Sequence, residues 1–176
     1  MHLIAMLFLV PDASAGGKGP CADTYVTEDK FTKETTSLRS RNFPVLNATA
    51  PFGYEVTTKG GSARLTLMLA KPQAHQATLP AGYKVQVLLT DGSVLELTAP
   101  DESAPAAGVS GTGASAAIFT TWQVRLPLDK SVLDSLTAQP VAAVRAPHPS
   151  GDITWENSAG VKALSQALLC AASLAK

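Results

Sequence analysis

The sequence feature that most constrains the fold is a β-hairpin centred on Asp91-Gly92. Two runs of alternating apolar and polar residues, 83–90 and 93–98, flank this dipeptide. Asp-Gly suits a two-residue type I′ turn, and a period of two is typical of half-buried strands. The pattern therefore predicts an antiparallel hairpin with one apolar and one polar face.

Similar strand patterns recur along the chain. We expect further strands at about residues 34–43, 54–58, 64–70, 117–126 and 141–145. Gly60-Gly61 predicts a second hairpin turn, because glycine accepts the positive φ angles that such turns require. In the strand that follows, Leu65, Leu67 and Leu69 alternate with other residues and predict one buried face.

The remaining segments contain few regular patterns. Asp129 predicts the N-cap of a short helix that reaches Thr137, and a C-terminal helix is expected over 158–174. Segment 99–115 is rich in Ala, Gly, Ser and Pro, which predicts a flexible loop. About seven strands and two helices predict a mainly β fold, an antiparallel β-sandwich or a partly closed barrel, with α+β as the alternative.

The N-terminus has the features of an export signal. An apolar run at 3–10 is too short to span a bilayer, and Ala13-Ser14-Ala15 follows it as an A-x-A pattern. We therefore predict a signal peptide over 1–15, a single β-rich domain over 16–176, and a location in the periplasm, at the cell surface or in the secreted fraction, with no transmembrane span. No positive charge precedes the run, and a buried N-terminal strand is the alternative.

Cys21 and Cys170 are the only cysteines, and they lie near opposite ends of the chain. An exported protein favours a disulfide between such a pair, and domain termini are often close in space. We predict a Cys21–Cys170 disulfide, with two unpaired cysteines as the alternative. A lipid anchor on Cys21 is not expected, because Pro20 and Lys18 occupy positions that need a small and an aliphatic residue.

Charge and motifs argue against several function classes. The formal net charge is zero and basic residues are scattered, so no nucleic-acid partner is predicted; Arg39 and Arg41 are expected on one solvated strand face. The sequence has no G-x-S-x-G elbow, phosphate-binding glycine loop, zinc-ligand spacing or EF-hand loop. We therefore predict no catalytic residue, no cofactor and no metal site.

Five residues remain as candidates for function. His75 and His148 lie in polar or proline-rich segments and are expected to be exposed, and Glu28-Asp29 is an acidic pair typical of a solvated loop. A hydrolase site assembled from distant residues would draw on these four side chains. Trp155 follows a turn and is the candidate for a contact surface, with packing in the core as the alternative.

Residues 27–34, TEDKFTKE, resemble the start of a loose group of exported bacterial β-rich proteins that show an Asp-x-Phe-Thr segment just after an N-terminal cysteine. The order of a Leu-Thr-Asp-Gly-Ser hairpin, a Pro-Leu-Asp-Lys-Ser helix start and a Val-x-x-Val-Arg strand is also similar. The resemblance implies export and a β-rich fold. It implies no activity and no site residue.

Together these patterns favour an exported, non-enzymatic binding or structural module of the cell envelope or secreted fraction, with a protein or polymer as its unknown partner. A carrier of a small apolar ligand, with a cavity lined by Leu65, Leu67 and Leu69, is one alternative. A hydrolase whose site is not visible in the sequence is another.

Overall fold

The computed structural model describes residues 21, 24–32, 35–41, 52–110, 116–156 and 159–175. The predicted signal peptide, 1–15, lies outside these residues. Within the described residues, ten strands and two helices follow in the order β1 (Tyr25–Glu28), β2 (Thr35–Arg41), β3 (Phe52–Lys59), β4 (Ser62–Pro72), β5 (Tyr83–Leu89), β6 (Val94–Ala99), β7 (Ala106–Ser110), β8 (Ala117–Leu128), α1 (Lys130–Ala138), β9 (Val141–Ala146), β10 (Ile153–Glu156) and α2 (Ala159–Leu174).

The strands form two antiparallel sheets. The larger has the order β1-β2-β3-β4-β8-β7, and the smaller has the order β10-β9-β5-β6. This arrangement confirms the predicted mainly β, sandwich-like fold. The sequence allowed either a sandwich or a partly closed barrel, and the strands form two separate sheets. The strands that the sequence did not predict, β1, β7 and β10, are short and lie at sheet edges.

The inner faces of both sheets and one face of α2 form a continuous hydrophobic core. Leu65, Leu67 and Leu69 are each at most 1% exposed and belong to that core. The apolar face that was expected to line a ligand cavity is therefore packed by neighbouring side chains, which counts against the carrier hypothesis. Helix α2 contacts both β3 and β9, and the Ser165 hydroxyl on α2 accepts a hydrogen bond from the Val141 N–H at 2.8 Å.

The predicted disulfide is confirmed. Cys21 and Cys170 are bonded, with their Cα atoms 5.0 Å apart and a sequence separation of 149. Because it closes such a long loop, the bond stabilises the fold by up to about 5 kcal/mol in the chain-entropy account. It fastens the chain ahead of β1 to α2, and it indicates an oxidising environment.

The two predicted hairpins differ in their turns. Gly60 and Gly61 have φ angles of 54° and 77°, and Lys59 pairs directly with Ser62, as a type I′ turn requires. The type I′ prediction for Asp91-Gly92 is wrong, because Gln73 is the only described residue other than glycine with a positive φ. Instead, the Gly92 N–H bonds the Leu89 carbonyl at 3.1 Å, which gives a longer turn closed by one glycine.

Segment 99–115, expected to be a flexible loop, contains strand β7; residues 111–115 lie outside the described part. The composition did not predict this strand because Ala, Gly and Ser have a weak preference for strands. The segment is a strand because its backbone hydrogen-bonds to β8. Gly108 faces the Phe119 ring so closely that a Cβ there would lie 2.4 Å from Phe119 Cζ. The glycine therefore serves close packing.

The two helices lie where the sequence predicts them. The Asp129 side chain accepts the Val132 N–H at 2.8 Å and caps α1, whose buried residues are Leu133 and Leu136. Helix α2 begins at Ala159, one residue later than expected. In the described part of the chain, no helix has the length and apolar character needed to cross a bilayer.

Candidate functional site

Two groups of polar and aromatic side chains lie along β4, one towards each of its ends. The histidine end consists of Lys71, His75, Trp122, His148 and Ser150. The hairpin end consists of Phe31, the β3–β4 turn and three cations, Lys59, Arg64 and Arg125, that extend from the turn towards the middle of β4. Because β4 has 11 residues, a rise of about 3.3 Å per residue separates its ends by about 33 Å.

The structure brings His75 and His148 together, although they are 73 positions apart in the sequence. Their ring centroids are 5.5 Å apart, and the His148 ring packs edge-on against Trp122 at 4.8 Å. His148 is only 7% exposed and His75 is half-buried, so the expectation of two exposed loop residues is wrong. The connection after β4 and the β9–β10 turn both lie over Trp122, a proximity that neither local sequence signals.

His148 is held in one tautomer. Its Nδ1 accepts the Ser150 backbone N–H at 3.2 Å and lies 2.9 Å from the Ser150 hydroxyl. An acceptor at Nδ1 places the ring proton on Nε2. That Nε2 is buried and has no hydrogen-bond partner among the described residues. Burial, followed by the nearby charges of Lys71 and His75, lowers the pKa of His148, so the ring is neutral at pH 7.

Lys71 continues this chain of hydrogen bonds. Its ammonium donates to the Ser150 hydroxyl at 2.9 Å and to the Gly151 carbonyl. Since Lys71 can only donate, the Ser150 hydroxyl accepts from it and donates onward to His148 Nδ1. Burial lowers the pKa of the Lys71 ammonium below its usual value, and the opposite charge of Asp152 offsets only part of this shift.

The surrounding backbone is fixed by buried donors. The Thr120 hydroxyl donates to the Gln73 carbonyl and accepts the His75 N–H, both at 2.9 Å. Trp122 Nε1 donates to the Ala77 carbonyl at 2.9 Å. Gln73 has a φ of 75°, which is uncommon for a residue with a side chain. The connection that holds His75 is thus tied to β8 at several points.

A second set of bonds holds residues 29–32, directly after β1, at the hairpin end. The Asp29 carboxylate accepts the N–H groups of Phe31 at 2.8 Å and Thr32 at 3.0 Å. These bonds lower the pKa of the Asp29 carboxyl. The turn leaves the Phe31 side chain 98% exposed. Glu28 and Asp29 therefore lie far from the two histidines, and the four candidates do not form one hydrolase site.

Open clefts surround the β3–β4 turn. One, of about 610 Å³, is lined by Lys59, Arg64, Arg125, Pro100 and Asp101 among others. A second, of about 410 Å³, includes Phe31, Asp29 and Lys59. Lys59 is common to both, so the two clefts form one continuous rough surface at this end of the molecule.

Trp155, the predicted contact residue, is buried with 6% of its surface exposed. It alternates inward on β10 opposite Val144 and belongs to the core, so the packing alternative holds. Sequence reasoning missed Phe31, Lys71 and Ser150. The available signal for Phe31 was an aspartate two positions before it, the spacing at which a side chain caps a turn.

Within the described residues, no group of three or more His, Cys, Asp or Glu side chains is arranged to hold a metal ion. Comparison of the chain with protein-family models, with curated proteins and with solved structures finds no match.

Proposed function

We propose that this protein is an exported binding module of the cell envelope or secreted fraction, and that it holds a protein partner at its hairpin end. The observation that carries the proposal is Phe31, an aromatic side chain that is 98% exposed on a turn whose backbone is capped by Asp29. A monomeric fold gains nothing from this exposure. The disulfide supports an oxidising location outside the cytoplasm.

Phe31 has the properties of a binding anchor. Fully burying a phenylalanine side chain contributes about 1.5–3 kcal/mol, and aromatic anchors dominate many interfaces. Because the Asp29 bonds already hold residues 29–32 in place, little backbone conformational entropy is lost on binding. The neighbouring residues Glu28, Lys30 and Lys59 are exposed and charged, and they form the polar rim that such anchors usually have.

The test compares Phe31→Ala with Val94→Ala, an exposed apolar residue on the smaller sheet. The disulfide-bonded protein is immobilised, and retained proteins from envelope and culture-fluid extracts are quantified by mass spectrometry. We expect a stoichiometric partner that wild type and V94A retain and F31A loses, with at least about a tenfold weaker Kd for F31A. Equal retention by F31A, or no stoichiometric partner, would overturn the proposal.

A second candidate, an ester hydrolase, is favoured by one observation. The Ser150 hydroxyl lies 2.9 Å from His148 Nδ1 and 2.9 Å from Lys71 Nζ. In this mechanism Ser150 Oγ attacks the carbonyl carbon of an ester, and its proton passes to His148 Nδ1. The ester C–O bond breaks, and the alcohol leaves with that proton. Water then hydrolyses the acyl-serine. Labelling with a fluorophosphonate, which reacts with nucleophilic serines, tests this candidate. Label that is lost in Ser150→Ala but kept in Ser93→Ala supports Ser150 as the nucleophile. A wild-type protein that takes up no label excludes this role for Ser150.

A further inference from the structure

Three cations form a diagonal line across the outer face of the larger sheet. Arg64 lies on β4, opposite Thr57 of β3 and Pro127 of β8. Lys59 of β3 is opposite Ser62, two residues before Arg64. Arg125 of β8 is opposite Thr66, two residues after Arg64. Lys59 and Arg125 are therefore each the diagonal neighbour of Arg64, on opposite sides of it. Diagonal neighbours lie about 7–8 Å apart, within reach of long side chains.

These cations are not held in ion pairs in the described part of the chain. Among the described residues, Lys59, Arg64 and Arg125 make no ion pair within 4.0 Å, whereas Lys84, Lys130 and Arg145 each do. Among the described residues, Asp101 is the one carboxylate that lines their cleft. Glu102 shares a neighbouring cleft with Arg125, Glu55 is a diagonal neighbour of Arg64 on β3, and Asp29 lies near Lys59 on its other side. The three side chains are exposed, so their N–H donors face solvent and are accessible to the carboxylates of another molecule.

The cleft also has apolar walls. Pro100, Pro127 and Ala63 line the cleft together with the charged groups, and its volume of about 610 Å³ is far larger than one small anion needs. Lys59 connects this cleft to the one that includes Phe31. Arginine forks match carboxylates with two parallel hydrogen bonds. An extended chain that presents several carboxylates next to apolar groups fits all of these features.

We infer that the cleft lined by Lys59, Arg64 and Arg125 binds an acidic peptide segment of the partner protein. The inference rests on the proposed function and adds the chemistry of the partner: an apolar pocket receives Phe31, and an adjacent run of Asp or Glu residues lies along the three cations. The line of cations sets the direction in which that run crosses β3, β4 and β8.

The test measures binding of fluorescein-labelled hexaglutamate to the full disulfide-bonded protein, with hexaglutamine as the neutral probe. Arg64→Gln and Arg125→Gln remove one charge each, and Arg145→Gln on β9 is the matched control. We expect hexaglutamate alone to bind, each cleft variant to bind about threefold more weakly, the double variant about tenfold, and R145Q to match wild type. Raising the salt concentration weakens this binding.

The outcomes separate the inference from the proposed function. Equal loss in R64Q, R125Q and R145Q, or equal binding of both probes, overturns the inference. Tighter binding of polygalacturonate than of hexaglutamate also overturns it, in favour of a carboxylated sugar polymer. If F31A loses the protein partner while R64Q/R125Q keeps it, the proposed function stands and the inference fails. If hexaglutamate binds through the cleft but F31A keeps the partner, the proposed function fails.

Discussion

The histidine end and the hairpin end contain similar numbers of polar and aromatic groups but treat them in opposite ways. At the histidine end, Lys71, Ser150 and His148 bond to one another, and Trp122 is buried with its N–H satisfied. At the hairpin end, Phe31 is exposed, and none of the carboxylates that the structure describes lies within ion-pair distance of Arg64. Groups that bond to one another stabilise the fold, whereas exposed groups without partners are available to another molecule; the buried Nε2 of His148, which has no partner among the described residues, is the exception at the histidine end.

The strongest test of this comparison is stability after removal of one aromatic side chain from each end. Trp122 is 1% exposed, so Trp122→Ala removes a packed side chain and is expected to lower the free energy of unfolding by about 3–5 kcal/mol. Phe31→Ala is expected to change it by less than about 0.5 kcal/mol. Urea denaturation with the disulfide intact measures both. Similar losses in the two variants would break the comparison.

The next effect concerns two lysines on the same hairpin. Lys71→Met removes donors to Ser150 and Gly151 and is expected to cost about 1–2 kcal/mol of unfolding free energy. Lys59→Met removes a cation that makes no ion pair within 4.0 Å among the described residues, and is expected to be neutral within about 0.5 kcal/mol. The same denaturation experiment compares them. A K59M variant that loses as much stability as K71M would show that both lysines are structural.

The pH dependence of stability also differs between the ends. Because the pKa of folded His148 is lowered, both states are mainly neutral at this site above about pH 6.5, and as the pH falls below it the unfolded chain takes up the proton before the folded chain does. Stability is therefore expected to fall as the pH drops below about 6.5, by at most about 1.4 kcal/mol per pH unit for one proton. His148→Gln should reduce this slope in denaturation curves recorded from pH 7.5 to 5.

At the hairpin end, the stability of the fold depends on pH in a lower range, because the titrating group is the Asp29 carboxyl. The pKa of Asp29 is lowered by its bonds to Thr32 and Phe31, so its contribution is present above about pH 4 and is lost as the pH falls further. Asp29→Asn serves as the control, since it should leave the change between pH 7.5 and 5 intact. A slope in that range that persists in H148Q but disappears in D29N would reverse the assignment.

The sequence predicted what local patterns specify. Alternation gave the central strands, Asp129 marked a helix start, and the export argument paired Cys21 with Cys170. It failed where the deciding contact is distant. His75 and His148 appeared solvated because their segments are polar or rich in proline, and only the packing of two connections over Trp122 buries them. Arg64 and Arg125 are 61 positions apart, and only the β4–β8 register makes them neighbours.

The smallest expected effect tests whether the turn at the hairpin end exists to present Phe31. Asp29→Ala removes the acceptor for two N–H groups, and is expected to weaken partner binding about threefold because the turn must then be ordered on binding. Asp29→Asn keeps an oxygen in the same place and should lose less. Calorimetric titration with the partner identified by the Phe31 comparison measures both. If D29A and D29N weaken binding equally, the charge of Asp29 matters rather than the turn; if neither does, Phe31 needs no fixed backbone, and the hairpin end binds by exposure alone.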